Sequence, residues 1–289
     1  MKNLSGKTAV ITGAAQGIGF ALAQQCAAEG MKIVMTDIAD DVLQISLTAI
    51  TETGADAIAV KADVSKLEDW EKLKKNTLEA FGSIDVLINN AGILGVPATS
   101  WEQRQKDWDL ALGVNLHGVI NGIRTFIPLM RESGDKGHIV NVASVAGHVV
   151  QPFTAPYHVT KFGVTALTES LFHELDILGS NIGVTLVCPG FTKTNILSGE
   201  NLPSVDEDDE QMKHIRTAFT GGVEGGISAD AVAEQTVQAI KDNRFYVFTS
   251  PGTIDYAEKR FNHIVRGEQP DLGEALRSRF VPEKTKIGE

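Results

Sequence analysis

A short apolar run, Thr8-Ala-Val-Ile11, leads straight into Thr12-Gly-Ala-Ala-Gln-Gly-Ile-Gly19 and then into an apolar stretch of helical periodicity that ends at Gly30. Strand, glycine loop and helix in immediate succession commit the start of the chain to an α/β arrangement. With 289 residues and 43% hydrophobic content, there is enough chain for one large α/β domain or two small ones. The glycines have separable tasks. Gly13 permits a tight turn, Gly17 lets the backbone approach a pyrophosphate, and Gly19 allows close packing of helix on strand, while the helix N-terminus faces phosphate charge. Gln16 and Ile18 complete the same loop. The spacing Gly-x-x-x-Gly-x-Gly differs from the Gly-x-Gly-x-x-Gly fingerprint, and an ordinary tight turn between strand and helix is the alternative reading.

Lys32-Ile-Val-Met-Thr36 reads as a second strand ending at Asp37, eighteen residues beyond Gly19. A carboxylate there suits a ribose diol. Ala14, Ala15 and Gln16 are uncharged, and Asp37 is followed by Ile38-Ala39-Asp40-Asp41. A phosphate on that ribose would therefore meet like charge and no Arg or Lys, which predicts NAD over NADP. Asp40–Thr53 reads as a helix and Ala57–Ala62 as a strand. Ser65 is a candidate N-cap, with Glu68 as its capping-box partner, for a helix that ends near Gly82. Asp85–Asn89 is a fourth strand. Asn89-Asn-Ala-Gly92 follows at its carboxyl end, where open α/β sheets bind ligands; Asn90 and Gly92 either hold a cofactor or only brace the turn.

Further on, a strand-like run His138–Ala143 precedes Ser144, and Tyr157 and Lys161 stand four residues apart, on one face of a helix. A free phenol, with a pKa of about 10, is a poor base near neutral pH. An ammonium at about 4 Å, at an effective dielectric near 20, would favour the phenolate by roughly 4 kcal/mol, or about three pK units as an upper bound. That would poise Tyr157 to exchange a proton with a carbinol oxygen while the Ser144 hydroxyl bonds the same oxygen.

Composition excludes several classes of partner. A net charge of −11 argues against nucleic acid or an anionic membrane. No apolar run approaches the roughly 18 residues of a membrane span, and Met1–Gly6 does not read as a signal peptide, so a cytoplasmic location is expected. Cys26 and Cys188 are the only two cysteines and form neither a disulfide framework nor a metal site. The seven histidines lack metal-ligand spacing, and only His148 is a candidate to face substrate.

In order along the chain, Thr12-Gly-x-x-x-Gly-Ile-Gly19, Asp63-Val64, Asn89-Asn-Ala-Gly92, Asn115, Ser144, Tyr157-x-x-x-Lys161 and Pro189-Gly190 resemble the short-chain dehydrogenases and reductases, from about Leu4 to Phe248. The resemblance implies a single-domain, Rossmann-like, doubly wound parallel sheet of about seven strands with helices on both faces, and a nicotinamide cofactor. It also implies that Asp63 and Val64 line the adenine pocket and that Lys161 holds the ribose. Asn115, within a Trp101–Arg131 stretch read as one long helix or two abutting ones, would hold a water leading from Lys161 to solvent. Phe191–Thr194 would lie against the nicotinamide, with Thr192 or Thr194 meeting its carboxamide.

The expected domain spans residues 1–252, with a lid at about 192–226 that includes the acidic run Asp206–Glu210; that run is equally readable as a solvated helix face. Residues 253–289 form an extension that covers an oligomer face or is disordered at its end. The expected activity is hydride transfer between NAD(H) and a secondary alcohol or ketone. Ile93, Leu94, Val145, His148, Gln151, Phe153, Phe191 and Ile196 are mostly apolar and favour a hydrophobic or aromatic substrate. The alternatives are a silent dinucleotide sensor or scaffold, or an NAD-using epimerase or dehydratase. Surplus apolar residues in 101–131 and 154–178 point to a homodimer or homotetramer.

Overall fold

The computed structural model describes residues 1–134, 137–196 and 210–281. Its strands are β1 (Thr8–Thr12), β2 (Lys32–Asp37), β3 (Ala57–Lys61), β4 (Val86–Asn89), β5 (His138–Val142), β6 (Gly183–Cys188), β7 (Thr192–Lys193), β8 (Ile227–Ser228) and β9 (Tyr246–Phe248). Seven of them form one sheet in the order β3-β2-β1-β4-β5-β6-β9, and every pairing in it is parallel. The strands read as unbroken apolar runs because both faces are covered. Successive side chains alternate between two cores. Ala9 and Ile11 join Ile33, Met35 and Val140 under α1 (Gly17–Ala28) and α8 (Ala229–Asp242). Val10, Val34, Leu87 and Ile139 pack on the opposite face. Their partners there come from α3 (Leu67–Phe81), α5 (Gly118–Glu132) and α6 (Ala155–Ile177). Chain direction across the sheet reverses between β1 and β4, and the crevice beyond their carboxyl ends is where such sheets take ligands.

Several local expectations are corrected. Ser65 does not cap α3, which starts at Leu67 with no side-chain cap. Its hydroxyl instead donates to Asp63 Oδ1 at 2.6 Å, and its N–H to the same oxygen at 3.0 Å, so a turn closed by Asp63 takes the groups a cap would have used. The 101–131 stretch is helical only from Gln105, and α4 (Gln105–Ala111) and α5 are joined by a π turn, Leu112–His117, that carries Asn115. Of the expected lid, residues 197–209 lie outside the described part, including most of the acidic run; the rest is regular structure, with β7 paired to β8 and α7 (Glu210–Glu224) between them. After α9 (Thr253–Arg266) the extension makes a further helix, α10 (Glu274–Phe280).

His138, at the start of β5, is 1% exposed and pairs its Nε2 with Thr185 Oγ1 at 2.8 Å. Burial, aided by the N-terminal ammonium, brings its pKa down to about 3. A folded-state value below the unfolded one means the folded chain binds fewer protons. The group's stabilising contribution is therefore complete above about pH 6.5 and falls as pH drops toward 3, by ~1.4 kcal/mol per unit. Urea unfolding at about pH 7 and about pH 5.5 is expected to show that loss, and His138→Gln to flatten the slope by about one such unit. An unchanged slope in the variant would remove His138 from the acid sensitivity.

Candidate active site

The crevice is a cavity of about 550 Å³ that runs from Asp37 to the residues around Tyr157. Gly13 and Gly17 have φ of 65° and 58°, the left-handed region that excludes most side chains. A Cβ on Gly13 would sit 2.9 Å from Ala91 Cα, and one on Gly19 only 2.0 Å from the Gly13 carbonyl oxygen. Gly19 thus lets the helix close on the loop carbonyl of Gly13 rather than on a strand, and unlike Gly13, Gln16, Gly17 and Ile18 it does not line the cavity. No side chain caps α1, so its first N–H groups keep their capacity to meet an anion. Gln16 Oε1 accepts from Asn195 Nδ2 at 2.9 Å, which bridges the loop to the segment after β7.

At Asn90 the structure shows the bracing role and a place on the cavity wall. Its amide donates to the carbonyls of Thr12 at 2.9 Å and Gly13 at 3.3 Å, which staples the loop, and the residue also lines the cavity with Gly92. Thr12, which opens the glycine motif but was given no role of its own, receives the N–H groups of Asn90 and Ala91 on its hydroxyl at 2.9 and 3.0 Å. Asp37 accepts from the N–H groups of Ala15 at 3.1 Å and Ala39 at 3.0 Å, and it lines the cavity together with Asp63 and Val64. Burial favours the protonated form of Asp63, but the Ser65 hydrogen bonds and the Lys66 ammonium outweigh it and hold the carboxyl below its usual range. Pro189, Gly190, Thr192 and Thr194 line the far wall.

Ser144, two residues beyond β5, opens a single turn, Val145–Gly147, by accepting from the Ala146 N–H at 3.1 Å. Its hydroxyl donates to the Pro189 carbonyl at 3.3 Å and shares the cavity wall with the Tyr157 phenol. Lys161, one helical turn beyond Tyr157, is 4% exposed, and its Nζ donates to the Val142 carbonyl at 2.9 Å. The expected depression of the tyrosine is not met. Burial pushes the Tyr157 pKa up against the smaller opposing influence of the Ser144 hydroxyl, and the ammonium, turned to Val142 and 5.6 Å from the centre of the ring, does not offset it. Burial also lowers Lys161, to about 8.

Asn115 does not line the cavity and has no exposed surface. Its amide donates to the Ile93 carbonyl at 2.9 Å and to Thr160 Oγ1 at 3.1 Å, and its Oδ1 accepts from the Ile93 N–H at 2.8 Å. Asn115 Oδ1 and Lys161 Nζ each lie 3.4 Å from the point a Gly92 Cβ would occupy, so the glycine keeps a space beside both polar groups.

At the mostly apolar end, Ile93, Leu94, Val145, Gln151, Phe191 and Ile196 line the cavity, and Leu110, Phe219 and Val223 join them without having been foreseen. His148 is corrected: its ring packs against Phe248 at 5.1 Å and Cys188 Sγ at 3.3 Å, outside the cavity. Phe153 is also set back from the cavity, with a φ of 70°. Arg260 of α9 braces the Ser144 turn from outside, with its guanidinium 4.9 Å from the Phe162 ring centre and donating to the His148 carbonyl at 3.4 Å. Among the described residues, no group of His, Cys, Asp and Glu could hold a metal ion.

The model of the family described as short chain dehydrogenase matches residues 7–203. A CLA biosynthesis dehydrogenase/reductase of Lactiplantibacillus plantarum is 33% identical over 280 residues, 94% of this chain and 98% of the relative. A 1-deoxy-11-beta-hydroxypentalenate dehydrogenase of Streptomyces avermitilis is 34% identical over 265 residues, 91% of this chain and 92% of its own. The crystal structure of a short chain dehydrogenase/reductase from Burkholderia phymatum in complex with NAD superimposes with a TM-score of 0.89 at 35% identity, across 94% of this chain and 99% of that one. Likeness that extends over the sheet, the glycine loop and both ends of the crevice leaves one conclusion: the chain belongs to the short-chain dehydrogenase/reductase family of oxidoreductases.

Proposed function

We propose that this oxidoreductase interconverts a hydrophobic or aromatic secondary alcohol and its ketone with NAD(H), and that Tyr157 moves the hydroxyl proton. The observation that carries the proposal is the meeting of the Ser144 hydroxyl, the Tyr157 phenol and Lys161 at one end of a cavity whose other end is Asp37 and the glycine loop. The residues present fit a dinucleotide: two glycines in the left-handed region, an uncapped helix N-terminus, and an aspartate with acceptor capacity to spare after two backbone bonds. Gly13, Gln16, Gly17 and Ile18 would hold its pyrophosphate, Asp37 its ribose diol, Asp63 and Val64 its adenine, and Asn90, Gly92 and Lys161 its second ribose. Pro189, Gly190, Thr192 and Thr194 would border its nicotinamide. Bound NAD supplies the hydride chemistry.

This chain's own part is proton transfer and orientation. Raised by burial, the Tyr157 phenol is protonated at neutral pH and poised to donate to a carbonyl oxygen, with Ser144 fixing that oxygen. Asn115 shapes the space between Gly92 and Lys161, where a water with polar partners would pass protons to solvent. The cavity's apolar end, from Leu94 and Leu110 to Phe191, Ile196 and Phe219, favours a hydrophobic carbinol over a sugar.

Tyr157→Phe is expected to lower kcat by at least about a hundredfold and leave the Kd for NAD within about twofold, because only the proton-carrying hydroxyl is removed. Lys161→Ala should weaken both. Substantial turnover by the phenylalanine variant would refute the role.

Family structures hold either NAD or a 5-hydroxy derivative of NADP, so the cofactor choice rests on charge. Among the described residues lining the cavity, Lys161 is the one cation, and it lies at the end remote from Asp37. NAD is therefore expected to exceed NADP by at least about a hundredfold in kcat/KM. Asp37→Ala should narrow that gap mainly by weakening NAD. Equal efficiency with both cofactors would defeat the argument.

We also infer a cytoplasmic homodimer or homotetramer joined through α4, α5 and α6, where Leu110 is 47%, Val159 50% and Ile177 82% exposed. Among the described residues, no helix is long and apolar enough to cross a membrane. Light scattering at micromolar concentration should give a multiple of 31.0 kDa; the monomer mass would reject this assembly.

A further inference from the structure

The segment after β9 returns to the cavity. Lys259 on α9 pairs with Asp271 at 2.6 Å, and Asp271 Oδ1 accepts from the Gly273 N–H at 2.8 Å, which turns the chain so that α10 lies against α7. Phe280, the last residue of α10, is 7% exposed. Its ring centre stands 5.6 Å from that of Phe219 on α7 and 5.8 Å from that of Phe153, both in tilted contact. Leu94 and Phe191 pack on the same cluster. Phe219, Leu94 and Phe191 line the cavity; Phe280 stands behind them and does not.

Phe153 adds an independent sign of constraint. A φ of 70° is unfavourable for a bulky residue and persists only where its surroundings hold it. The Phe153 carbonyl accepts from the Ala98 N–H at 2.9 Å, and the ring is held by Phe280. One ring from the C-terminal segment therefore ties together the loop after β4, the loop before α6 and helix α7.

We propose that Phe280 is a positioning residue for substrate size: from behind the cavity it fixes Phe219 and the Phe153 loop as a firm apolar wall, suited to a carbinol that carries a ring or a similarly bulky apolar group. The inference rests on the alcohol dehydrogenase reading given above. A small alcohol touches little of such a wall, whereas a bulky one depends on it for contact area.

The test compares the unaltered protein with Phe280→Ala and Phe280→Leu, using NAD with isopropanol, cyclohexanol and a phenyl-substituted ethanol, beside hydrogen exchange over α7. Phe280→Ala is expected to raise KM for the two ring-bearing alcohols about tenfold, with kcat and the isopropanol KM within about twofold of the unaltered protein. Exchange over α7 should quicken by a similar factor. Phe280→Leu, which refills most of the volume, should recover both readouts. A KM change that is uniform across the three alcohols, or absent, would overturn this inference alone, as would unchanged exchange over α7. No turnover of any of the three by the unaltered protein would overturn the dehydrogenase reading and this inference with it.

Discussion

The hydroxyl of Thr12 holds the crevice together. It sits at the end of β1 and receives two consecutive N–H groups, Asn90 and Ala91, from the segment leaving β4, while the Asn90 amide returns to the Thr12 and Gly13 carbonyls. In a doubly wound sheet the chain departs in opposite directions from these two strands, so nothing in the strand ladder itself fixes the gap beyond their ends. The four bonds supply that fixation in a place where unpaired backbone groups would be costly. With the gap set, the glycine loop, Asp37 and the Ser144–Tyr157 pair fall on a single cavity.

Burial then decides the electrostatics of that cavity more than pairing does. Tyr157 is driven up and Lys161 down, each toward its uncharged form. The simple Coulomb estimate for a tyrosine and a lysine one turn apart assumes that the ammonium faces the phenol, and here it bonds the end of β5 instead. The spacing told which side chains share a face. It could not tell where a four-carbon arm would place its charge, since that depends on a carbonyl brought there by a strand nineteen residues earlier in the chain.

The sheet was legible because strands buried on both faces leave continuous apolar runs bounded by turn residues, as in Ala9–Ile11 and Ile33–Met35. The glycine loop was legible because its residue types are required by backbone geometry that only glycine meets. What stayed hidden depends on distant partners. Ser65 looked like a cap but was taken by Asp63, and His148 looked accessible but was drawn onto Cys188 and Phe248. Helix α7 was concealed by Gly221-Gly222, although Ile215 and Phe219, four residues apart, carry its apolar stripe. Thr12 was visible as the first residue of the glycine motif, but its role, like that of Arg260, gave no local signal, because each acts through a contact with a residue far along the sequence.

The position of Phe280 in the chain has a consequence for synthesis. The strands that frame the crevice, β1 through β6, have all left the ribosome by Cys188, and a domain that folds as it emerges can assemble them before the rest arrives. The ring that backs the apolar end of the cavity emerges nearly a hundred residues later. Changes near the carboxyl end can therefore reshape the cavity's apolar end after the crevice has formed, leaving the sequence of that end free to diverge without disturbing the sheet on which it rests.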